Sequence, residues 1–220
     1  MDFDFDYLVR QWPALMRGLA ITVQVSALSI ILSIAIGLLG AACRLMRVPV
    51  LSQLFLGYVE FIRNTPLLAQ LFLVFYGLPT IGLKLSLFWS GVVTLTAWAG
   101  AYQVENIRGG LAAVTKGLHE AGLSLGLRPW LFFRLVAAPI AIRVSLPSML
   151  NTSISLLKNS AYLQTIGLAE LTFVAIDRIA MDFRTIEMFA AICVIYLVLV
   201  LALSIGANAL EARLQRPFRS

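Results

Sequence analysis

Few residues in this chain are of a kind that makes or breaks covalent bonds. His119 is the only histidine among 220 residues. The two cysteines, Cys43 and Cys193, lie in or at the ends of apolar runs with no histidine nearby, which suits packing rather than metal or redox chemistry. No nucleophile stands beside a base, and no ligand cluster has metal spacing, so an enzyme reading lacks its machinery. The nearest approach to a phosphate-binding loop is "GGLAAVTKG" at 109–117. Thr115 stands there where a glycine must precede the lysine, so any ATP hydrolysis has to come from another chain.

The chemistry left to the polar residues is non-covalent. Glu60 and Arg63 are spaced to meet on one helix face, just before "NTP" at 64–66. Pro66 favours a break there, and a broken helix exposes backbone groups to a substrate. Arg63, Asn64 and Thr65 are therefore candidates for a pathway or its gate, against a helix end with a snorkelling arginine. Glu105 and Arg108 have the same spacing and read as a structural pair that orients the segment after them. Its net contribution is about 0–1 kcal/mol if exposed. Further on, Ser145, Ser148, Asn151, Thr152, Ser155, Lys158 and Asn159 fall within an arc of roughly 140° on a helix. Such a stripe either joins helices or lines a wet cavity, and Lys158 favours the cavity because a charge needs water or a partner.

The elements that carry these residues belong to a membrane. The chain is 60% hydrophobic and only 13% charged, with mean hydropathy +0.90. A soluble domain carries about 25% charged residues. The acidic start, Asp2, Asp4 and Asp6, is unlike a cleaved signal peptide, so the first apolar run is expected to stay as a membrane helix. Spans of about 20 residues fit five times, roughly at 18–42, within 50–79, and at 86–107, 135–158 and 186–209. Thr22, Ser26, Ser29 and Ser33 mark a close-packing face on the first span. The expected fold is an all-α integral membrane protein, one domain over 1–220, with 1–17 an extracytoplasmic N-terminal segment.

The net charge of +6 says less than where the charges lie. Arg44, Arg47, Arg108, Lys116, Arg128, Arg134, Arg143, Arg213, Arg216 and Arg219 fall on one side. Arg10, Arg17, Lys84, Lys158, Arg178 and Arg184 fall on the other, among most of the acids. The positive-inside rule puts the first set in the cytoplasm, the N-terminus outside and the C-terminus inside. Basic charge here points to a lipid bilayer and not to nucleic acid. Trp12 and Trp89 sit where outer interfacial anchors belong. The cytoplasmic loop 109–135 is longer than a connection needs, which marks it as functional. Its stretch "KGLHEAGLSLGLRPW" at 116–130 reads as a helix–turn–helix outside the bilayer, with its apolar side on the membrane domain. Gly117, Gly122 and Gly126 allow tight turns or close approach, and Pro129 opens the second helix. Glu120 is placed to cap the first helix or to pair with Arg128.

This segment resembles the EAA signature of binding-protein-dependent ABC importer permeases. Glu120, Ala121 and Gly122 fill the E-A-A positions and Gly126 the following glycine. After nine residues, Val136, Ala137, Ala138 and Pro139 stand for I-x-L-P. Three further blocks are similar to the polar amino-acid branch of that family. They are "FIRNTPLLAQLFLVFYGLP" at 61–79, "GAYQVENIRGG" at 100–110 and "LLKNSAYLQTIGLAEL" at 156–171.

The resemblance implies an ABC importer permease fold with five spans in the inner membrane of a bacterium. It implies that Gly117, His119, Glu120, Ala121, Gly122, Gly126 and Arg128 form a coupling helix seated in a groove of an ATPase subunit. It also implies partners: two ATPase subunits that carry the ATP and Mg, a second permease copy or paralogue, and an extracytoplasmic substrate-binding protein. The chain itself would bind no cofactor or metal and would move polar amino acids by alternating access. The fourth span, with Ser148, Asn151, Ser155 and Lys158, would wall the pathway. The competing reading is a stand-alone secondary transporter or channel, which would need an internal repeat or a relay of carboxylates.

Overall fold

The computed structural model describes residues 3–46 and 48–215, with only the backbone described for Leu210 and for 213–215. Asp2, Arg47, Arg216 and Arg219, which entered the charge argument, lie outside the described residues, as does the side chain of Arg213. The described residues form helices joined by short loops, with no strand among them. The elements are α1 (Phe5–Leu45), α2 (Leu51–Arg63), α3 (Leu67–Phe72), α4 (Leu87–Ala112), α5 (Lys116–Ser124), α6 (Pro129–Phe132), α7 (Ala138–Asn159), α8 (Leu171–Asp182) and α9 (Thr185–Gln215). A π-helical turn joins α6 to α7, and a 3-10 segment, Ser160–Ile166, extends α7.

Three of these stretches are long and apolar enough to cross a membrane: α1, Pro129–Ile166 and α9. The bent pair formed by Leu51–Arg63 and Leu67–Ile81 makes a fourth. The expected third span, α4, falls short on apolarity, and the reason is its position. It lies against α1, α2 and α7 and buries Ser90, Thr94, Thr96 and Gln103. A helix shielded from lipid by its neighbours does not have to be lipid-like.

The packing face read on α1 is where it was expected. Thr22, Ser26, Ser29 and Ser33 are all buried, and the Ser29 hydroxyl reaches Val92 O at 3.4 Å. At the far end of both helices Arg44 meets Glu105, so α1 and α4 run the same way. The helix α7 runs opposite to them. Gln103 Nε2 donates to Met149 O at 3.1 Å, and Asn106 Nδ2 donates to Ser148 O at 3.2 Å and to Thr152 Oγ1 at 2.9 Å.

One boundary and one burial differ from expectation. The helix α1 starts at Phe5, so most of 1–17 is not a separate segment but the first turns of a 41-residue helix. Asp4 caps it by accepting from Tyr7 N at 2.9 Å. Tyr7 and Leu15 then pack with Leu171, Ala175, Met188, Ile192 and Ile195 of α8 and α9. Cys193, expected to pack, is exposed on α9, whereas Cys43 is half-buried.

The core of α1, α8 and α9 closes on one acid. Glu170 is 0% exposed and caps α8. Its carboxyl accepts from Phe173 N at 2.7 Å, Thr172 N at 2.9 Å, the Tyr196 hydroxyl at 3.1 Å and Thr22 Oγ1 at 3.4 Å. Burial outweighs these bonds and raises its pKa above the ordinary 4.5. The folded state therefore holds this proton more tightly than the unfolded chain. The stability it adds is complete below the ordinary carboxylate range and is lost as pH rises through the raised value. Thermal unfolding of the detergent-solubilised protein from pH 4 to 8 is expected to show this decline, and Glu170→Gln is expected to flatten it. Glu170→Ala, which strands buried donors, is expected to cost about 3 kcal/mol at the acid end.

Candidate functional site

Two sets of residues carry the candidate function. One is the outlying pair α5–α6. Thr115 caps α5 by accepting from Leu118 N at 3.4 Å. Glu120 meets Lys116 at 3.4 Å on the same face. So Glu120 neither caps the helix nor pairs with Arg128, because Thr115 precedes it at the cap and Arg128 lies past the turn, capping α6. Gly126 makes that turn at φ +71°, a conformation costly for a residue with a Cβ. Gly122 is the one buried residue of α5, and a Cβ there would lie 2.5 Å from Phe132 Cδ2. His119 meets the same ring edge-on, with centroids 5.0 Å apart. Phe132 is thus the pin that holds the two short helices together.

The apolar side of this unit was expected to rest on the bundle. It does not. Leu118, Leu123, Leu131 and Phe133 are exposed, Leu125 is 80% exposed and Trp130 68%. Lys116, Gly117, Ala121 and Arg128 are exposed beside them. The unit presents apolar and basic side chains outward, a composition suited to a protein partner.

The second set lies along α4 and α7. Trp98, Tyr102, Asn151, Thr152, Ser155 and Asn159 line an open cavity of about 390 Å³. Trp98 and Tyr102 pack with ring centroids 4.8 Å apart, and the Arg63 guanidinium lies over the Tyr102 ring at 5.3 Å. Arg63 therefore turns to Tyr102, and the expected pair with Glu60 is not formed. Glu60 accepts instead from Asn64 Nδ2 at 3.1 Å.

The stripe read on α7 divides. Asn151 and Ser155 line the cavity, Lys158 and Ser148 are exposed, and Ser145 is buried. Asn64 and Thr65 serve the break itself. Asn64 Nδ2 donates to Glu60 O at 2.7 Å and Thr65 Oγ1 to Phe61 O at 2.8 Å. Glu105 and Arg108 do pair, at 2.6 Å, and Arg44 joins them.

Sequence reasoning missed Trp98, Tyr102, Gln103, Asn106 and Arg44. Trp98 and Tyr102 are one helical turn apart, and so are Gln103 and Asn106, a spacing that places each pair on one face.

The inner-membrane component of binding-protein-dependent transport systems is the family whose profile matches residues 29–216. The chain belongs to that family. It is a membrane-spanning permease subunit of an ABC importer and leaves ATP hydrolysis to another protein. It is 35% identical to the glutamine transport system permease protein GlnP of Escherichia coli K12 over 217 residues, which are 98% of this chain and 99% of the relative. The probable amino-acid ABC transporter permease protein PatM of Vibrio harveyi is 34% identical, covering 99% of each chain. Among solved structures, an amino acid ABC transporter crystallised with histidines superposes with TM-score 0.90 at 34% identity, over 97% of this chain and 100% of the other. The permease of the MetNI methionine ABC transporter shares the fold, with TM-score 0.72 at 18% identity over 96% and 99%.

The pin between α5 and α6 gives a direct test in this permease. Gly122→Val is expected to displace Phe132 and expose the 113–128 segment to protease at least tenfold faster, read by limited proteolysis of the detergent-solubilised protein. Gly117→Ala, where a Cβ meets nothing within 4 Å, is expected to keep wild-type protease resistance.

Proposed function

We propose that this permease carries polar amino acids inward across the bacterial inner membrane, driven by two ATPase subunits docked on α5–α6 and supplied by an extracytoplasmic binding protein. The observation that carries the docking role is the outlying helix pair, rigidly pinned yet apolar on its outer face. Gly117, His119, Glu120, Ala121, Gly122, Gly126 and Arg128 form that unit. ATP and Mg belong to the partner subunits. The permease works with a second copy or a paralogue, since one set of spans walls only half of a pathway.

The reading includes five spans, with α4 crossing inside the bundle and the N-terminus outside. Two things support it. Arg44, Arg108, Lys116, Arg128, Arg134 and Arg143 gather toward the α5 end, as a cytoplasmic side requires. The parallel run of α1 and α4, with α7 opposed, fits the alternation of the first four crossings, and α9 is long and apolar enough to add a fifth.

The pathway in this proposal is the cavity of Asn151, Thr152, Ser155 and Asn159, with Trp98 and Tyr102 opposite. Arg63 and Lys158 stand near it as cations for a carboxylate, with Ser148 further along the same face. Asn64 and Thr65 hold the break that fixes Arg63. Polar amino acids are the proposed cargo because similar permeases are named for glutamine and for amino acids.

The assembled transporter, reconstituted in vesicles, is expected to accumulate glutamine, glutamate, arginine or histidine only with ATP and binding protein together. Uptake driven by a proton gradient without ATP would overturn the reading in favour of a secondary transporter. Glu120→Lys reverses an exposed charge whose only ion pair among the described residues is with Lys116. It is expected to leave the fold intact and to lower ATPase association and uptake at least tenfold, read by co-purification and flux. Wild-type association in that variant would remove Glu120 from the docking surface.

A further inference from the structure

The last turns of α4 are tied to two different neighbours. Glu105 faces α1. Its carboxylate takes Arg44 from the last turn of α1 and Arg108 from its own helix, the latter through Nε at 3.0 Å and Nη2 at 2.6 Å. The Arg44 and Glu105 side chains are each 18% exposed. Asn106, the next residue, faces α7 and bonds Ser148 and Thr152. Gly110 also faces α7, so closely that a Cβ would lie 2.4 Å from Ala141 O. After Ala112 only residues 113–115 separate α4 from α5.

Whatever displaces α5 therefore acts on α4 through residues 113–115 and on α7 through the Phe132 pin and α6. The hold on α7 is broad, made of backbone contact and amide bonds. The hold on α1 at this end joins close packing, where a Cβ on Gly37 would lie 2.5 Å from Gln103 Cβ and one on Gly40 2.5 Å from Val104 Cγ2, to a single charged contact. Among the described residues, Arg44–Glu105 is the only ion pair that joins α1 to α4. Arg44 and Glu105 are mostly shielded from water, which strengthens their attraction over that of an exposed pair. The bidentate grip of Arg108 fixes the carboxylate so that it can hold Arg44 in one geometry. Far along α1 from Arg44, Thr22 is bonded to Glu170 and Leu171 of α8. One helix thus connects the drive end of the bundle to α8 at the other end.

We propose that Glu105 is a positioning residue of the transport cycle. Gripped by Arg108 and holding Arg44, it makes α1 move with α4 when α5 is displaced. This inference rests on the docking role given above to α5–α6.

The test uses the assembled transporter in vesicles and reads amino acid taken up per ATP hydrolysed. Glu105→Gln is expected to lower that ratio at least fivefold with ATPase activity retained. Arg44→Met, which leaves the Glu105–Arg108 pair, is expected to do the same and serves if Glu105→Gln fails to assemble. The reversal Arg44→Glu with Glu105→Arg restores one carboxylate between two guanidiniums. It is expected to recover at least half of the wild-type ratio, where each reversal alone loses it. Spin labels at the exposed positions Leu45 and Ala112, on a background with both cysteines replaced by serine, report the mechanical step. Their separation is expected to hold through the ATP cycle in the parent and to change with ATP in Arg44→Met. A wild-type ratio in both Glu105→Gln and Arg44→Met, or a double reversal no better than its worse parent, would overturn the proposal. Absence of ATP-driven uptake in the parent would instead overturn the function assigned to the transporter.

Discussion

The architecture depends on keeping a polar helix out of lipid. Gln103 in the middle of α4 carries an amide that hydrocarbon does not solvate, and an unpaired buried amide costs several kcal/mol. The fold answers by surrounding α4 with α1, α2 and α7 and by pairing Gln103 with Met149 O. The rest follows from that arrangement. The serine and threonine face of α1 is small so that α1 can lie close to α4. On the α7 stripe, Thr152 meets Asn106 through its hydroxyl, and Asn151, Ser155 and Asn159 face the cavity.

The helix pair α5–α6 obeys the opposite logic. It leaves the bundle and keeps one aromatic ring for itself. Phe132 occupies the space that a Cβ on Gly122 would need, so the unit holds its shape without a core beneath it. Its leucines and Trp130 are then free to face away. In isolation such a surface is a liability, since exposed apolar area of this kind drives association. It is stable in use only when a partner covers it, and in the proposed reading the ATPase subunits do so.

What the sequence revealed, and what it hid, follows the range of each interaction. Features set by helical periodicity were legible, namely the α1 packing face, the α7 stripe and the Glu105–Arg108 pair. The turn at Gly126 was legible because glycine and proline act locally. Arg44 was not, because it lies 61 residues from Glu105 and no local pattern links them. The start of α1 was hidden by its three aspartates, which read as a polar tail when one of them is a helix cap. The Glu60–Arg63 pair was misjudged for a related reason. Spacing permits two side chains to meet, but Tyr102, on another helix, offered the guanidinium a ring face instead. Likewise α4 reads as an ordinary span until its neighbours are known.

The break between α2 and α3 refines what the cavity does. The chain turns through 111° there, and a break of that size frees carbonyls for a substrate to bind. Here the protein uses them itself. Asn64 bonds Glu60 O and Thr65 bonds Phe61 O. The buried Gln70 amide donates to Ile62 O at 2.8 Å and to Thr65 Oγ1 at 2.8 Å. A break so filled is a rigid corner rather than an open ligand site. Its effect on recognition is indirect: it fixes the end of α2 so that Arg63 lies over Tyr102 at the cavity edge. In the proposed pathway, contact with the cargo then falls to side chains that face the open space, above all Trp98, Tyr102, Asn151 and Ser155. Those groups offer ring faces, an amide and a hydroxyl, which suit a small zwitterion and set little preference for its side-chain charge. If the proposed pathway holds, a permease built this way leaves most of the choice of amino acid to the binding protein that delivers it.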